Sequence, residues 1–281
     1  MHRISDLERL RAVLAHWRGQ GERIALVPTM GNLHTGHLAL VEAATRRADR
    51  VVVSLFVNPT QFGPGEDFDS YPRTLEDDLA RLVTAGCDLV WLPAVSTMYP
   101  LDSGFGVTVP AMLADTLCGE FRPGHFDGVA SVVLRLFNQV RPRLAMFGEK
   151  DFQQLLVIRR LVTDLALEID VLGWPTQRES DGLALSSRNQ YLTPEERAVA
   201  PLLFQTLTDM AGRLKKGDQW EELEAEASDR LERAGFRPQY LAWRSAEDLG
   251  DPQPGCPQRL LAAAWLGKAR LIDNIDVKAG L

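Results

Sequence analysis

Three segments of this 281-residue chain gather side chains suited to holding phosphate. The first, Pro28-Thr29-Met30-Gly31-Asn32-Leu33-His34-Thr35-Gly36-His37, joins an apolar run to a helical pattern. Gly31 and Gly36 permit close backbone approach. His34 and His37, three apart at a helix start, face one side and can donate to phosphate oxygens beside the exposed N–H groups of the helix end. The pair could instead begin a zinc site, although no third ligand has suitable spacing, or be incidental to a tight turn. The second segment, Phe147-Gly148-Glu149-Lys150-Asp151-Phe152-Gln153-Gln154, lies at another strand-to-helix junction. There Lys150 supplies a mobile ammonium, Asp151 can accept from ribose hydroxyls and Gln154 sits one turn into the helix; a solvated helix start would show the same charges. The third runs from Arg178 to Asn189, where Ser186, Ser187 and Arg188 offer hydroxyl and guanidinium donors to a triphosphate, or belong to a polar linker.

Two further loops hold polar groups. Gln61, in Asn58-Pro59-Thr60-Gln61-Phe62-Gly63, can present an amide to a polar organic substrate. Arg122 and His125, in Gly119 to Gly128, suit ligand binding and loop support equally. Neither a Walker loop nor GxGxxG occurs, which removes the usual evidence for P-loop hydrolysis and dinucleotide redox chemistry.

These segments need elements to position them. A capping box at Ser5-Asp6-Leu7-Glu8 predicts a first helix that Gly19 and Gly21 close. Strands are expected at Ile24–Pro28, Arg50–Val57, Asp88–Leu92 and Leu144–Phe147. Helices are expected near His37–Arg47, Leu75–Ala85, Gly128–Val140 and Gln153–Leu167. This alternation predicts a doubly wound parallel sheet of Rossmann-like α/β class, with the first two segments at strand ends. After Ser187 the pattern changes: Thr193-Pro194-Glu195-Glu196 starts a helical stretch interrupted by Pro201, a second helix lies near Trp220–Ala234, and strands at Tyr240–Trp243, Leu260–Ala264 and Ala269–Ile275 follow. The expectation is a nucleotide- and substrate-binding domain over residues 1–185 and a smaller α+β domain over 186–281 that closes over the nucleotide.

Composition limits the function classes. Hydrophobic residues make up 45% and charged residues 25%, as in a globular protein, and no apolar run of ~18 residues could span a bilayer. The start MHRISDLERLRAV places charges where an export signal needs apolar residues, so a cytoplasmic location is expected. Three widely spaced cysteines, without a CxxC pair, predict reduced thiols. With 31 basic against 38 acidic side chains and no basic tract, neither nucleic acid nor a membrane is an expected partner, and phosphate attraction must come from locally placed donors.

The histidine-glycine turn and the later Ser-Ser-Arg loop resemble the HIGH and KMSKS-type signatures of a nucleotidyl-transferring α/β superfamily. Within it, PTMGNLHTGH, FVNPTQF, LCGEFRPGHFDGV, FGEKDFQQ and RESDGLALSSRNQYL, in that order, resemble the blocks of the pantoate:β-alanine ligase family over essentially the whole chain. Asn32 and Thr35 vary within the first block, and Arg270-Leu271-Ile272-Asp273-Asn274 carries the likeness into the last third. The resemblance implies a two-step ligation with ATP as substrate and Mg²⁺ bridging phosphates: pantoyl adenylate and pyrophosphate form first, then the amine of β-alanine expels AMP. It implies catalytic donors at His34, His37, Lys150, Ser186, Ser187 and Arg188, acting by electrostatic preorganisation. ATP would meet Met30, Gly31, Gly36, Gly148 and Asp151 as well as those donors, and pantoate would meet Met30, Gln61 and Gln154. No metal ligand is assigned: Asp77 and Asp78 could assist magnesium, but a solvated helix face explains them equally well. A homodimer is a family expectation. The rival readings are a relative that stops at nucleotidyl transfer to a phosphorylated precursor and a nucleotide-binding module without turnover.

Overall fold

The β-branched runs become strands whose order determines where ligand loops can gather. The computed structural model describes residues 1–101 and 104–277. Its chain begins β1 (His2–Ile4), α1 (Leu7–Gly19), β2 (Ile24–Thr29), α2 (Thr35–Thr45), β3 (Arg50–Leu55), α3 (Leu75–Thr84), β4 (Leu89–Trp91) and a short α4 (Val95–Met98). It continues with a short α5 (Ala111–Ala114), α6 (His125–Val140), β5 (Leu144–Gly148), α7 (Phe152–Asp164) and β6 (Asp170–Trp174). The six strands pair in parallel in the order β1-β4-β3-β2-β5-β6. Then come α8 (Pro194–Val199), α9 (Leu202–Leu214), α10 (Trp220–Arg233), β7 (Phe236–Ser245), β8 (Gln258–Leu266) and β9 (Ala269–Val277), the last three forming an antiparallel sheet in sequence order.

By contact the chain divides into two compact units. The first comprises Met1–Pro110, Arg122–Glu149 and Val157–Pro175; the second comprises Ala111–Phe121, Lys150–Leu156 and the chain from Thr176. In the first unit, Ala25, Val27, Val51, Val53 and Val90 form one core with Val41 of α2 and Leu82 of α3. Successive strand residues point to opposite faces, and the intervening Leu26 and Val52 are fully buried too, so helices must cover both sides of this sheet. In the second unit, Leu203, Leu207 and Met210 of α9 join Leu223 and Leu231 of α10 against Leu260, Ala262 and Leu271 of the antiparallel sheet.

Several boundaries differ from the expected ones. The first helix is capped by Asp6, whose carboxylate accepts from Arg9 N at 2.8 Å, and not by Ser5, which follows directly on β1. The edge strands β1 and β6 lie outside the expected strands: β1 is only three residues long, and β6, although it contains Val171, Leu172 and Trp174, is exposed or half-buried throughout. Pro201 separates α8 from α9 and sits at the α9 N-cap. The Thr193–Glu196 capping box forms reciprocally, at 3.2 and 2.8 Å. Cys87, Cys118 and Cys256 are free.

Candidate active site

The central strand β2 pairs with β3 on one side and β5 on the other. Strand order reverses there, and in an open parallel sheet the crevice at the carboxyl ends beside such a switch point receives ligands. The loop after β2 carries the histidines, and Gly148 ends β5.

The β2 loop is fixed by its own backbone turn and by α3. Gly31 has φ +89° and Asn32 φ +51°, a left-handed turn that Asp78 of α3 stabilises by accepting from Asn32 N at 2.9 Å and Leu33 N at 2.8 Å. A side chain at Gly31 would also approach Asp78 to 3.2 Å. Arg81, one turn further along α3, donates to Leu33 O at 2.5 Å. Asp78 is 2% exposed and both its oxygens accept from loop amides, so it positions this loop, whereas the neighbouring Asp77 lies on the solvated helix face. His34 is the N-cap of α2: its Nδ1 accepts from Gly36 N at 3.2 Å, and His37 Nδ1 accepts from His34 N at 3.3 Å. A ring nitrogen that accepts is unprotonated, so the neutral proton of each ring sits on Nε2. Their ring centroids are 4.0 Å apart. Two Nε2–H donors thus stand together at a helix amino terminus, where an anion is favoured.

Beyond β3, the one-turn 3₁₀ helix Pro59–Gln61 presents Gln61. The amide oxygen of Gln61 accepts from Asn58 Nδ2 at 3.1 Å, while its Nε2 meets the sulfur of Met30, a weak acceptor, at 3.3 Å. These two contacts fix which end of the Gln61 amide is the oxygen and which the nitrogen. Asn58 is 1% exposed and also accepts from Thr60 N and Tyr99 Oη, so its own amide cannot rotate.

In the second unit, Lys150 donates to Leu185 O at 3.0 Å, and Asn274 of β9 donates to Lys150 O at 2.8 Å. Burial lowers the Lys150 ammonium to about 8; Asp151 and Asp273 oppose that shift, while Arg188 and Arg178 add to it. A buried cation among other cations gains from an arriving polyanion. The loop from Arg178 to Ser186 is held by Arg178, bidentate to Asp273 at 2.6 and 2.8 Å, and by Leu185 N bonding Gln177 O at 2.9 Å. Arg178 also lies over the Phe204 ring at 3.8 Å. Ser186 caps a 3₁₀ turn by accepting from Arg188 N at 3.3 Å, which places Ser187 and Arg188 at the start of that turn. The two adjacent glutamines of α7 separate clearly. Gln153 is 4% exposed and bonds Cys118 N, Leu113 O and Thr116 O, whereas Gln154 is half-buried and Asp151 is exposed.

The first unit therefore holds Met30, Gly31, His34, Gly36, His37, Gln61 and Gly148, and the second holds Lys150, Asp151, Gln154, Ser186, Ser187 and Arg188. Sequence reading did not assign the residues that fix them: Asn58, Arg178, Asp273 and Asn274, together with Asp78 in its actual role. Asn58 directly precedes Pro59, a local turn signal, but the other partnerships link distant positions. Among the described residues no group of three or more His, Cys, Asp or Glu could hold a metal.

Residues 2–276 match the family model for pantoate-beta-alanine ligase. The chain is 55% identical to the pantothenate synthetase of Xylella fastidiosa strain M12 over 278 residues, covering 97% of this chain and 98% of that one. It is 53% identical to that of Pseudomonas aeruginosa strain UCBPP-PA14 over 281 residues, covering 99% of each. Among solved structures it resembles a pantothenate synthetase from Thermus thermophilus, with TM-score 0.91, 48% identity and 99% of both chains covered. It also resembles a pantoate-beta-alanine ligase from Francisella tularensis solved with beta-gamma ATP and beta-alanine, with TM-score 0.84, 32% identity and 100% and 99% coverage. With the parallel sheet, the histidine-capped loop and this full-length likeness agreeing, the chain belongs to the pantoate-β-alanine ligase family.

Proposed function

We propose a specific division of roles for the ATP-dependent ligation of pantoate to β-alanine that this enzyme performs. The pantoate carboxylate attacks the α-phosphorus of ATP, and the bond to pyrophosphate breaks. The amine of β-alanine then attacks the acyl carbon of pantoyl adenylate, the acyl–oxygen bond breaks, and AMP leaves. No enzyme nucleophile is required.

Charge concentrates on phosphate oxygens in the first step, and the Nε2–H groups of His34 and His37 donate to them. Lys150, Ser186, Ser187 and Arg188 supply further donors, and Met30, Gly31, Gly36, Gly148 and Asp151 line the nucleotide subsite. Preorganised donors of this kind stabilise developing charge without reorganising. Gln61 and Gln154 hold pantoate, with Met30 against it. The observation that carries these roles is the pair of histidine Nδ1 atoms engaged by backbone N–H groups, which commits both rings to donating through Nε2. Mg²⁺ bound with ATP would supply neutralisation of part of the phosphate charge; Asp78, the buried carboxylate beside the β2 loop, is already engaged by loop amides and would not hold it.

Product analysis tests the reaction: AMP should accumulate with pantothenate only when ATP, pantoate and β-alanine are all present. A stable nucleotidyl product formed without amine supports the nucleotidyltransferase reading, and ATP binding without turnover supports the binding module. The same proposal places the enzyme in the cytoplasm as a homodimer binding small molecules, without nucleic-acid or membrane partners. Among the described residues no helix is long and apolar enough to cross a membrane. Sedimentation showing only single chains would remove the dimer.

A further inference from the structure

Arg122 and His125, which the roles above leave unused, converge with Glu66 on the main chain of Gln61 inside the first unit. Arg122 pairs with Glu66 through Nε–Oε1 and Nη2–Oε2, both 2.6 Å, and the two side chains are only 17% and 26% exposed. Burial opposes ionisation of Glu66, but the hydrogen bonds and charge of Arg122 outweigh it and hold the carboxyl below its usual range. Arg122 Nη1 lies 2.9 Å from His125 Nε2, and Nη2 reaches Gln61 O at 3.3 Å. His125 Nδ1 lies 2.7 Å from the same carbonyl oxygen.

This geometry determines the His125 tautomer. A guanidinium has donors only, so Nε2 accepts; Nδ1 therefore carries the proton and donates to Gln61 O. A protonated ring would turn a donor against Arg122. His34 and His37 carry the opposite tautomer. The turn receives a second restraint from the backbone of α6: a Cβ on Gly128 would lie 2.2 Å from Thr60 O, so only glycine lets the helix press on Pro59–Gln61. Asn58 bonds Gly128 O at 3.2 Å and the Gln61 amide oxygen at 3.1 Å, linking both restraints to the side chain that meets substrate.

We propose that Glu66, Arg122 and His125 form a positioning relay that sets the Gln61 amide and thereby governs affinity for the hydroxy-acid substrate rather than for the nucleotide. The inference rests on the reading that Gln61 holds pantoate. His125→Asn keeps an N–H near the Nδ1 position, whereas His125→Gln offers only a partner for Arg122 near the Nε2 position. Steady-state kinetics should show the KM for pantoate rising about tenfold or more in His125→Gln and Arg122→Lys, the KM for ATP changing by less than about twofold, and His125→Asn recovering most of the loss. Nitrogen-15 NMR of the wild-type enzyme should show His125 as the Nδ1–H tautomer, a readout that needs no variant to fold. An Nε2–H or protonated His125 near neutral pH overturns the relay, as does an equal rise in both KM values. Gln61→Ala separates the two claims. If it raises the pantoate KM while His125→Gln and Arg122→Lys do not, the relay fails and the Gln61 reading stands; if Gln61→Ala leaves the pantoate KM unchanged, both fall.

Discussion

His34 and His37 take their orientation from amides two and three residues away, whereas Lys150 is held by Leu185 and Asn274, 35 and 124 residues distant. The histidine turn closes on itself: spacing alone brings each Nδ1 to an N–H of the same helix start, and Asp78 then secures the loop ahead of it. The Lys150 region has no such local solution. Its ammonium is lowered to about 8 by burial, and its surroundings depend on β9, where Asp273 and Asn274 are each 4% exposed. Donors that a local motif orients should survive changes elsewhere in the chain, while donors held by long-range partners should fail with their supports.

The largest effect should come from removing a long-range support. Asp273→Ala leaves the Arg178 guanidinium without its carboxylate and should destabilise the second unit by ~3–5 kcal/mol. Denaturation followed through Trp220 and Trp243, whose rings stand 6.1 Å apart in that unit, measures it. A loss below ~1 kcal/mol would mean that the long-range network matters less than the local one.

Next is Lys150→Ala, which removes the donor and leaves its supports. Pre-steady-state pyrophosphate release should slow by about 10²–10³-fold with little change in melting temperature. Normal release from a folded variant would take Lys150 out of the chemistry.

Asp78→Asn challenges the local side of the comparison. An amide supplies one acceptor where two loop N–H groups and Thr74 Oγ1 met a carboxylate, so stability should fall by ~1–3 kcal/mol and ATP affinity with it. Amide exchange should accelerate at Asn32 and Leu33 while His37 N stays protected. Uniform acceleration through α2 would show that the histidine cap is not self-sufficient.

The smallest effect is a pH dependence. A Lys150 ammonium near 8 in the free enzyme should make kcat/KM for ATP fall about tenfold per pH unit above that point. Because the folded value lies below the unfolded 10.5, the unfolded chain binds more protons between pH 8 and 10.5, and this residue's contribution to stability rises with pH across that window. The alkaline limb should be absent in Lys150→Arg. Its persistence there would assign the titration to another group.

The parallel sheet, the small antiparallel sheet and the junctions that carry the three donor-bearing segments follow from sequence, because period-two and helical patterns and glycine-punctuated turns are local properties. The histidines at the helix start are legible for the same reason, but their capping role is not: the helix begins at Thr35 rather than His37, and each Nδ1 accepts a backbone N–H. The edge strands β1 and β6 lie outside that reading, β1 being only three residues long, and Ser5 displaces Asp6 in a reading that cannot see β1 end at Ile4. Nothing local distinguishes Gln153 from Gln154, or Asp77 from Asp78. Helix rotation decides which member of each pair is buried among backbone peptide groups, leaving Gln154 half-buried and Asp77 exposed. Arg122 and His125 stay ambiguous in sequence since their partners, Glu66 and the Gln61 carbonyl, are about 60 residues away and become neighbours only when α6 presses Gly128 onto the Pro59–Gln61 turn. Residue types specify which donors exist, but tautomer, amide orientation and ammonium charge depend on the atoms that tertiary structure brings within about 3 Å.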